Sequence, residues 1–220
     1  MAVNTESYQK IISELRANNV LLVAVSKTKP VEDIKTLYDL GQREFGENYV
    51  QELIEKESVL PKDIHWHFIG HLQSNKVKYI APFVHLIHGI DSLKLLKEVD
   101  KQAAKHNRVI DCLLQVHIAE EETKFGFDKS ELNGLSSGLN ELKNVRVVGL
   151  MGMSSFSEDK EKIRSEFKKL KSIFDRLITY NLQFTTLSMG MSGDYTIAIE
   201  EGSNMVRIGS LLFGAREYQK

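Results

Sequence analysis

The stretch VLLVAVSKTKP, Val20 to Pro30, decides the fold. An unbroken apolar run, Val20 to Val25, gives way at once to Ser26, Lys27, Thr28, Lys29 and Pro30. A strand with no polar alternation is buried on both faces, which is the habit of a parallel sheet covered by helices. Pro30 then punctuates the chain before a helical pattern begins. A buried strand therefore delivers a lysine at its C-terminal end, just where a helix starts, and Lys27 does not read as one more solvated surface charge.

Outward from this stretch the same alternation recurs. Strand candidates lie at 20–26, 43–46, 64–69, 84–90, 109–118, 145–151, 184–189 and 204–208. Helical patterns fall between them at 31–40, 49–56, 93–105, 158–180 and 196–201, and a further helix is expected before the first strand. The clearest helix carries Ile163, Phe167, Leu170, Phe174 and Leu177 on one face and lysines and glutamates on the other. Eight strand–helix units in one chain predict a single (β/α)8 barrel over residues 1–220. A doubly wound open sheet is the alternative, but it usually carries a glycine-rich first turn, and SKTKPVED has no glycine.

Composition narrows the function classes. A formal net charge of −1 argues against a general nucleic-acid or membrane-surface binder. The one cysteine, Cys112, sits in the apolar run VIDCLLQVHI and reads as a core residue. The N-terminal MAVNTESYQKIISEL has neither basic leader nor apolar segment, and no apolar run approaches the ~20 residues of a membrane span, so a cytoplasmic protein is expected. No long hydrophobic seam demands a dimer, so a monomer is expected.

Chemistry in a barrel gathers at the C-terminal strand ends. Those ends carry Lys27; Glu47 and Asn48 in FGEN; HWHFIGH; Asp91; GLMGM; LSMGMSGD; and VRIGS. Loops after strands seven and eight often hold phosphate, and Ser192, Gly193, Gly209 and Ser210 supply hydroxyls and glycine-exposed amides there. Arg207, inside a strand, needs an anion or acceptor. His65 and His67 share a strand face at a spacing that can hold zinc, but no second histidine pair is evident, and no metal is expected.

Read together, LLVAVSKTKP, FGENYVQE, WHFIGHLQSNK, GLMGM, LSMGMSGD and MVRIGSLLFGAREY resemble the pyridoxal phosphate homeostasis proteins, which in turn resemble the barrel domain of alanine racemase. The resemblance runs from about residue 20 onward. It implies that Lys27, rather than Lys29, forms an internal aldimine with pyridoxal 5′-phosphate (PLP), and that Arg207 faces the pyridine nitrogen. It implies that Ser192, Gly209 and Ser210 cradle the phosphate, and that Asn48, His67 and Met151 lie at or near the cofactor. A lysine at the mouth among apolar residues is expected to lose hydration and with it some basicity, which suits attack on an aldehyde.

The implied function is holding PLP for the cell, with PLP-dependent apo-enzymes as recipients. The alternative is a PLP-dependent racemase-type enzyme. Such a racemase takes a second base from an additional β-domain; this sequence stops at FGAREYQK, after the eighth unit, so that domain is not expected. A lysine-dependent aldolase, which needs no PLP, is a weaker reading.

Overall fold

The computed structural model describes residues 3–119, 126–127, 131–132, 138–139, 141–179 and 184–214. Eight parallel strands close into one barrel in chain order. They are β1 Leu21–Val25, β2 Glu44–Glu47, β3 His65–Phe68, β4 Leu86–Ile90, β5 Ile110–Gln115, β6 Val145–Met151, β7 Thr186–Ser188 and β8 Met205–Ile208. Closure is made by β1 against β8, with Leu22 opposite Val206 and Val23 opposite Arg207.

The alternation of side chains along each strand divides the interior into two layers. On β1, Leu22 and Ala24 point outward into the large core between sheet and helices. Val23, between them, points inward and packs with Leu86, Leu113, Met151 and Met205 inside the barrel. Both faces of the strand are thus apolar, which is why the sequence shows a continuous run rather than an alternating one. Cys112 is fully buried in the outer layer, and burial pushes its thiol well above the usual range.

The helices that cover the sheet are α1 Thr5–Ala17, α2 Val31–Asp39, α3 Val50–Val59, α4 Val77–Ile80, α5 Leu93–Lys105, α6 Lys160–Thr179, α7 Tyr195–Glu200 and α8 Ser210–Phe213. The expected N-terminal helix is α1. The Asn4 side chain caps it by accepting from the Ser7 amide at 2.9 Å, and it buries Tyr8, Ile11 and Leu15. The Asn4 amide donates to the Leu212 carbonyl at 2.8 Å, so the helix before the first strand is tied to the one after the last. The Ser92 hydroxyl caps α5 in the same way.

The expected face of α6 is buried, with Ile173 and one residue that hydrophobic spacing does not pick out, Glu166. Its carboxylate accepts from the Ser155 amide and hydroxyl, both at 2.6 Å, and fixes the loop after β6. Several strands are shorter than expected. In β5 the pairing shifts register between Cys112 and Leu113, and the ladder stops at Gln115. Just beyond it the Val116 amide still donates to the Met151 carbonyl at 2.8 Å, and Val116 forms an isolated bridge to Phe127. The end of the 158–180 helix and the AREY of the last motif fall outside the described residues. No helix among the described residues is long and apolar enough to cross a membrane.

Candidate functional site

Lys27 emerges from β1 on a short turn that is held from below. Glu47, at the end of β2, is fully buried. Its carboxylate accepts from the Ser26 hydroxyl at 2.6 Å and from the Lys56 ammonium at 2.8 Å. Lys56, almost fully buried on α3, also donates to the Ser26 carbonyl at 2.8 Å and to Glu52 at 2.6 Å. Glu52 in turn accepts from the Thr28 amide at 2.5 Å. Both neighbours of Lys27 are thereby fixed. Thr28 is held at φ 62°, a left-handed conformation that a β-branched residue adopts only under strain.

Above this clamp lies a cavity of about 710 Å³, lined among others by Lys27, Lys29, Asn48, Ser192, Gly193, Arg207, Gly209 and Ser210. Val25, Ile69, Met153 and Phe156 add apolar wall. Lys29 donates to the Phe213 carbonyl at 2.7 Å, at the end of α8. At the β7–β8 side, the Ser192 hydroxyl accepts from the Gly209 amide at 3.3 Å. The amides of Ser192, Gly193 and Ser210 make no hydrogen bond among the described residues. Helices α7 and α8 are only six and four residues long, so the free amides themselves, rather than a macrodipole, make this corner anion-seeking. Gly190, at φ +95°, permits the turn after β7; a Cβ there would meet that of Ala198 at 2.6 Å. Asp194 accepts from the Met191 amide and the Ser154 hydroxyl and pins the same loop. The Asn48 side-chain oxygen is buried with no hydrogen-bond partner among the described residues.

Arg207 is buried in the wall of the cavity, with no carboxylate in direct contact among the described residues. It donates to the Ser188 hydroxyl at 2.6 Å and to the Gly152 carbonyl at 3.0 Å. Burial lowers its pKa to about 10, against the pull of Asp194, and it stays charged at neutral pH. From Ser188 a polar chain crosses the barrel interior. Ser188 Oγ lies 3.3 Å from His88 Nδ1, His88 Nε2 lies 2.8 Å from His67 Nδ1, and His67 Nε2 lies 2.6 Å from Glu44. The two ends fix the outer bonds: arginine only donates, so Ser188 accepts from Arg207, and an ionised carboxylate only accepts, so His67 donates to Glu44. Burial, with His67 and Arg207 nearby, holds His88 well below the usual histidine range and so neutral. Burial opposes the charge of Glu44, yet its hydrogen bonds from His67 and His65 hold it below the usual carboxylate range.

Six of the eight residues expected at the site therefore line one cavity: Lys27, Asn48, Ser192, Arg207, Gly209 and Ser210. The other two do not line it. His67 belongs to the chain beneath Arg207, and Met151 to the apolar layer inside the barrel. Lys56 and Glu52 were not anticipated, although Lys56 falls three residues after the buried Leu53 on the inner stripe of α3. His88, Ser188 and Glu44 carried no local signal, because only barrel closure brings them into line.

Comparison with known proteins agrees with the barrel architecture. Residues 3–217 match the family model described as alanine racemase, N-terminal domain. A pyridoxal phosphate homeostasis protein of Aquifex aeolicus is 46% identical over 203 residues, covering 91% of this chain and 89% of the relative. The structure of PipY from Synechococcus elongatus PCC7942 without PLP superposes with a TM-score of 0.90 at 35% identity, covering 95% of this chain and 99% of that one. The same protein with PLP bound gives 0.84 at 34% identity, over 92% and 98%.

The clamp makes a testable statement about pH. Burial raises the Glu47 carboxyl to about 7, against the opposing pull of Lys56 and Ser26. A carboxyl with a raised folded pKa contributes stability that is complete below its unfolded value, about 4.3, and lost as pH rises through the folded one. Between about pH 5 and about pH 8 the protein should therefore lose stability relative to Glu47→Gln, on the order of 1–3 kcal/mol. Denaturant unfolding at both pH values checks this; identical pH profiles for the two proteins would mean that Glu47 is ionised throughout.

Proposed function

Since the chain belongs to the pyridoxal phosphate homeostasis protein family, built on the alanine racemase N-terminal barrel, we propose that it binds PLP at the mouth of its barrel and takes part in PLP homeostasis. In this reading it acts in the cytoplasm as a monomer, holds PLP covalently through Lys27 without turning over amino acids, and delivers it to PLP-dependent apo-enzymes. The observation that carries the proposal is the single cavity that gathers Lys27, Arg207 and the Ser192, Gly209 and Ser210 corner.

PLP supplies an aldehyde that a primary amine captures and a phosphate dianion. The donor set fits such a group. Lys27, just past the end of β1, would offer the amine. The amides of Ser192, Gly193 and Ser210, with the two serine hydroxyls, would hold the phosphate, since backbone N–H groups bind an anion without adding net charge. The unpartnered Asn48 oxygen would accept from a polar hydrogen in the cavity. Arg207 would face the ring nitrogen, to which it can only donate a hydrogen bond. The Ser26–Glu47–Lys56 clamp fixes the turn that carries Lys27, and the chain from Ser188 to Glu44 fixes the guanidinium.

Borohydride reduction followed by peptide mass spectrometry tests the covalent assignment. The reduced adduct is expected on Lys27, and Lys27→Ala should abolish it while leaving weaker PLP binding. An adduct that maps to Lys29 or Lys76 would overturn the assignment. The phosphate corner has its own test. Ser210→Asp places a negative charge beside the dianion and should weaken PLP binding at least ~10-fold, about 1.4 kcal/mol. Unchanged affinity in a folded variant would count against that corner.

A further inference from the structure

At the opposite end of the barrel from the mouth three side chains meet, of which the proposed function uses only Glu44, through its bond to His67. Glu44 opens β2, His65 opens β3, and His85 directly precedes β4. One carboxylate oxygen and one ring nitrogen from each histidine all lie within 4.8 Å of one another. We propose that Glu44, His65 and His85 form a site for a divalent transition ion of the zinc class, at the N-terminal end of the barrel.

Three observations carry this. The donor set is two imidazoles and one carboxylate, a three-ligand set that zinc accepts with water in the fourth position. The elements that carry the ligands are rigid and adjacent: Glu44 pairs with His65 in the β2–β3 ladder, and the His85 amide donates to the Trp66 carbonyl at 2.9 Å. The carboxylate also has outer support. Glu44 meets His65 through Oε1 at 2.7 Å and His67 through Oε2 at 2.6 Å, so one oxygen can turn to an ion while the buried His67 still orients the other.

The imidazoles of His65 and His85 are stacked, with centroids 4.4 Å apart and planes 13° from parallel. An ion lying in both ring planes requires one ring to turn. The His65 side chain is 49% exposed and its terminal torsion is soft, so it is the ring that can do so. The Asp111 carboxylate, at the start of β5, is not available as a fourth ligand, because Arg146 holds both of its oxygens at 2.7 Å.

The experiment is calorimetric titration of the full chain, stripped with chelator, with Zn²⁺ alone, alongside thermal unfolding with and without the ion. One Zn²⁺ per chain is expected, with a raised melting temperature. Binding should weaken at least ~10-fold in His65→Ala and in His85→Ala and stay unchanged in His106→Ala, a surface histidine elsewhere. If His85→Ala fails to fold, His65→Ala with its exposed side chain decides alone. Absence of zinc binding, or binding that His65→Ala leaves untouched, would overturn the proposal.

Discussion

The buried ion pair of Glu47 and Lys56 is the constraint on which the mouth of the barrel depends. Taking both charges out of water costs several kcal/mol, and the attraction between them repays that only when the remaining hydrogen bonds are made. Here Ser26 and Glu52 make part of them, while Glu47 Oε2 stays buried with no partner among the described residues, in keeping with the raised Glu47 carboxyl. Such a pair is weak evidence for stability as such; its consequence is positional. It welds the end of β1 to the end of β2 and to α3, and it holds Thr28 in a conformation whose strain, of order 1–3 kcal/mol, must be offset by its surroundings. Lys27 stands between the two residues so fixed. Its backbone is set before any ligand arrives, which lowers the ordering cost of binding.

Arg207 is constrained from the other side. Among the described residues no carboxylate touches this buried guanidinium, and the polar chain through Ser188, His88 and His67 links it to the carboxylate of Glu44 across the barrel interior. The Ser188 hydroxyl and the Gly152 carbonyl both accept from the guanidinium, so Arg207 has little freedom to reorient. Under the proposed function this matters chemically. PLP enzymes that accumulate a full carbanion commonly set a carboxylate against the ring nitrogen to keep it protonated. A residue that can only donate does the opposite. Under the proposed reading, the clamp holds the turn of Lys27 and the chain holds Arg207, an arrangement suited to retaining PLP.

Much of the fold was legible because the helices and sheet bury contiguous apolar surface. The unbroken run before Ser26 announced a strand with two buried faces, and the four- and three-residue spacing from Ile163 to Leu177 announced the helix that covers β6. Strand ends were less legible. The β5 register shift and the early stop of β7 come from cross-strand pairing, which a local pattern does not contain. At the site, residues that emerge at strand ends were readable from motif and position: Lys27, Asn48, Ser192, Arg207, Gly209 and Ser210. His67 and Met151 also lie on strands, but the inward pleat seats them below the mouth. Lys56, Glu52 and His88 were hidden for one shared reason: a charged or polar residue looks solvated in sequence, and only packing reveals that its partner is buried with it.

The claim that the mouth holds PLP rather than transforming substrates with it is tested most directly by steady-state turnover of common amino acids, at PLP concentrations that saturate the protein. The account predicts no racemisation or transamination above that of a mock preparation. Sustained turnover that disappears in Lys27→Ala would contradict it and mark the barrel as that of an enzyme.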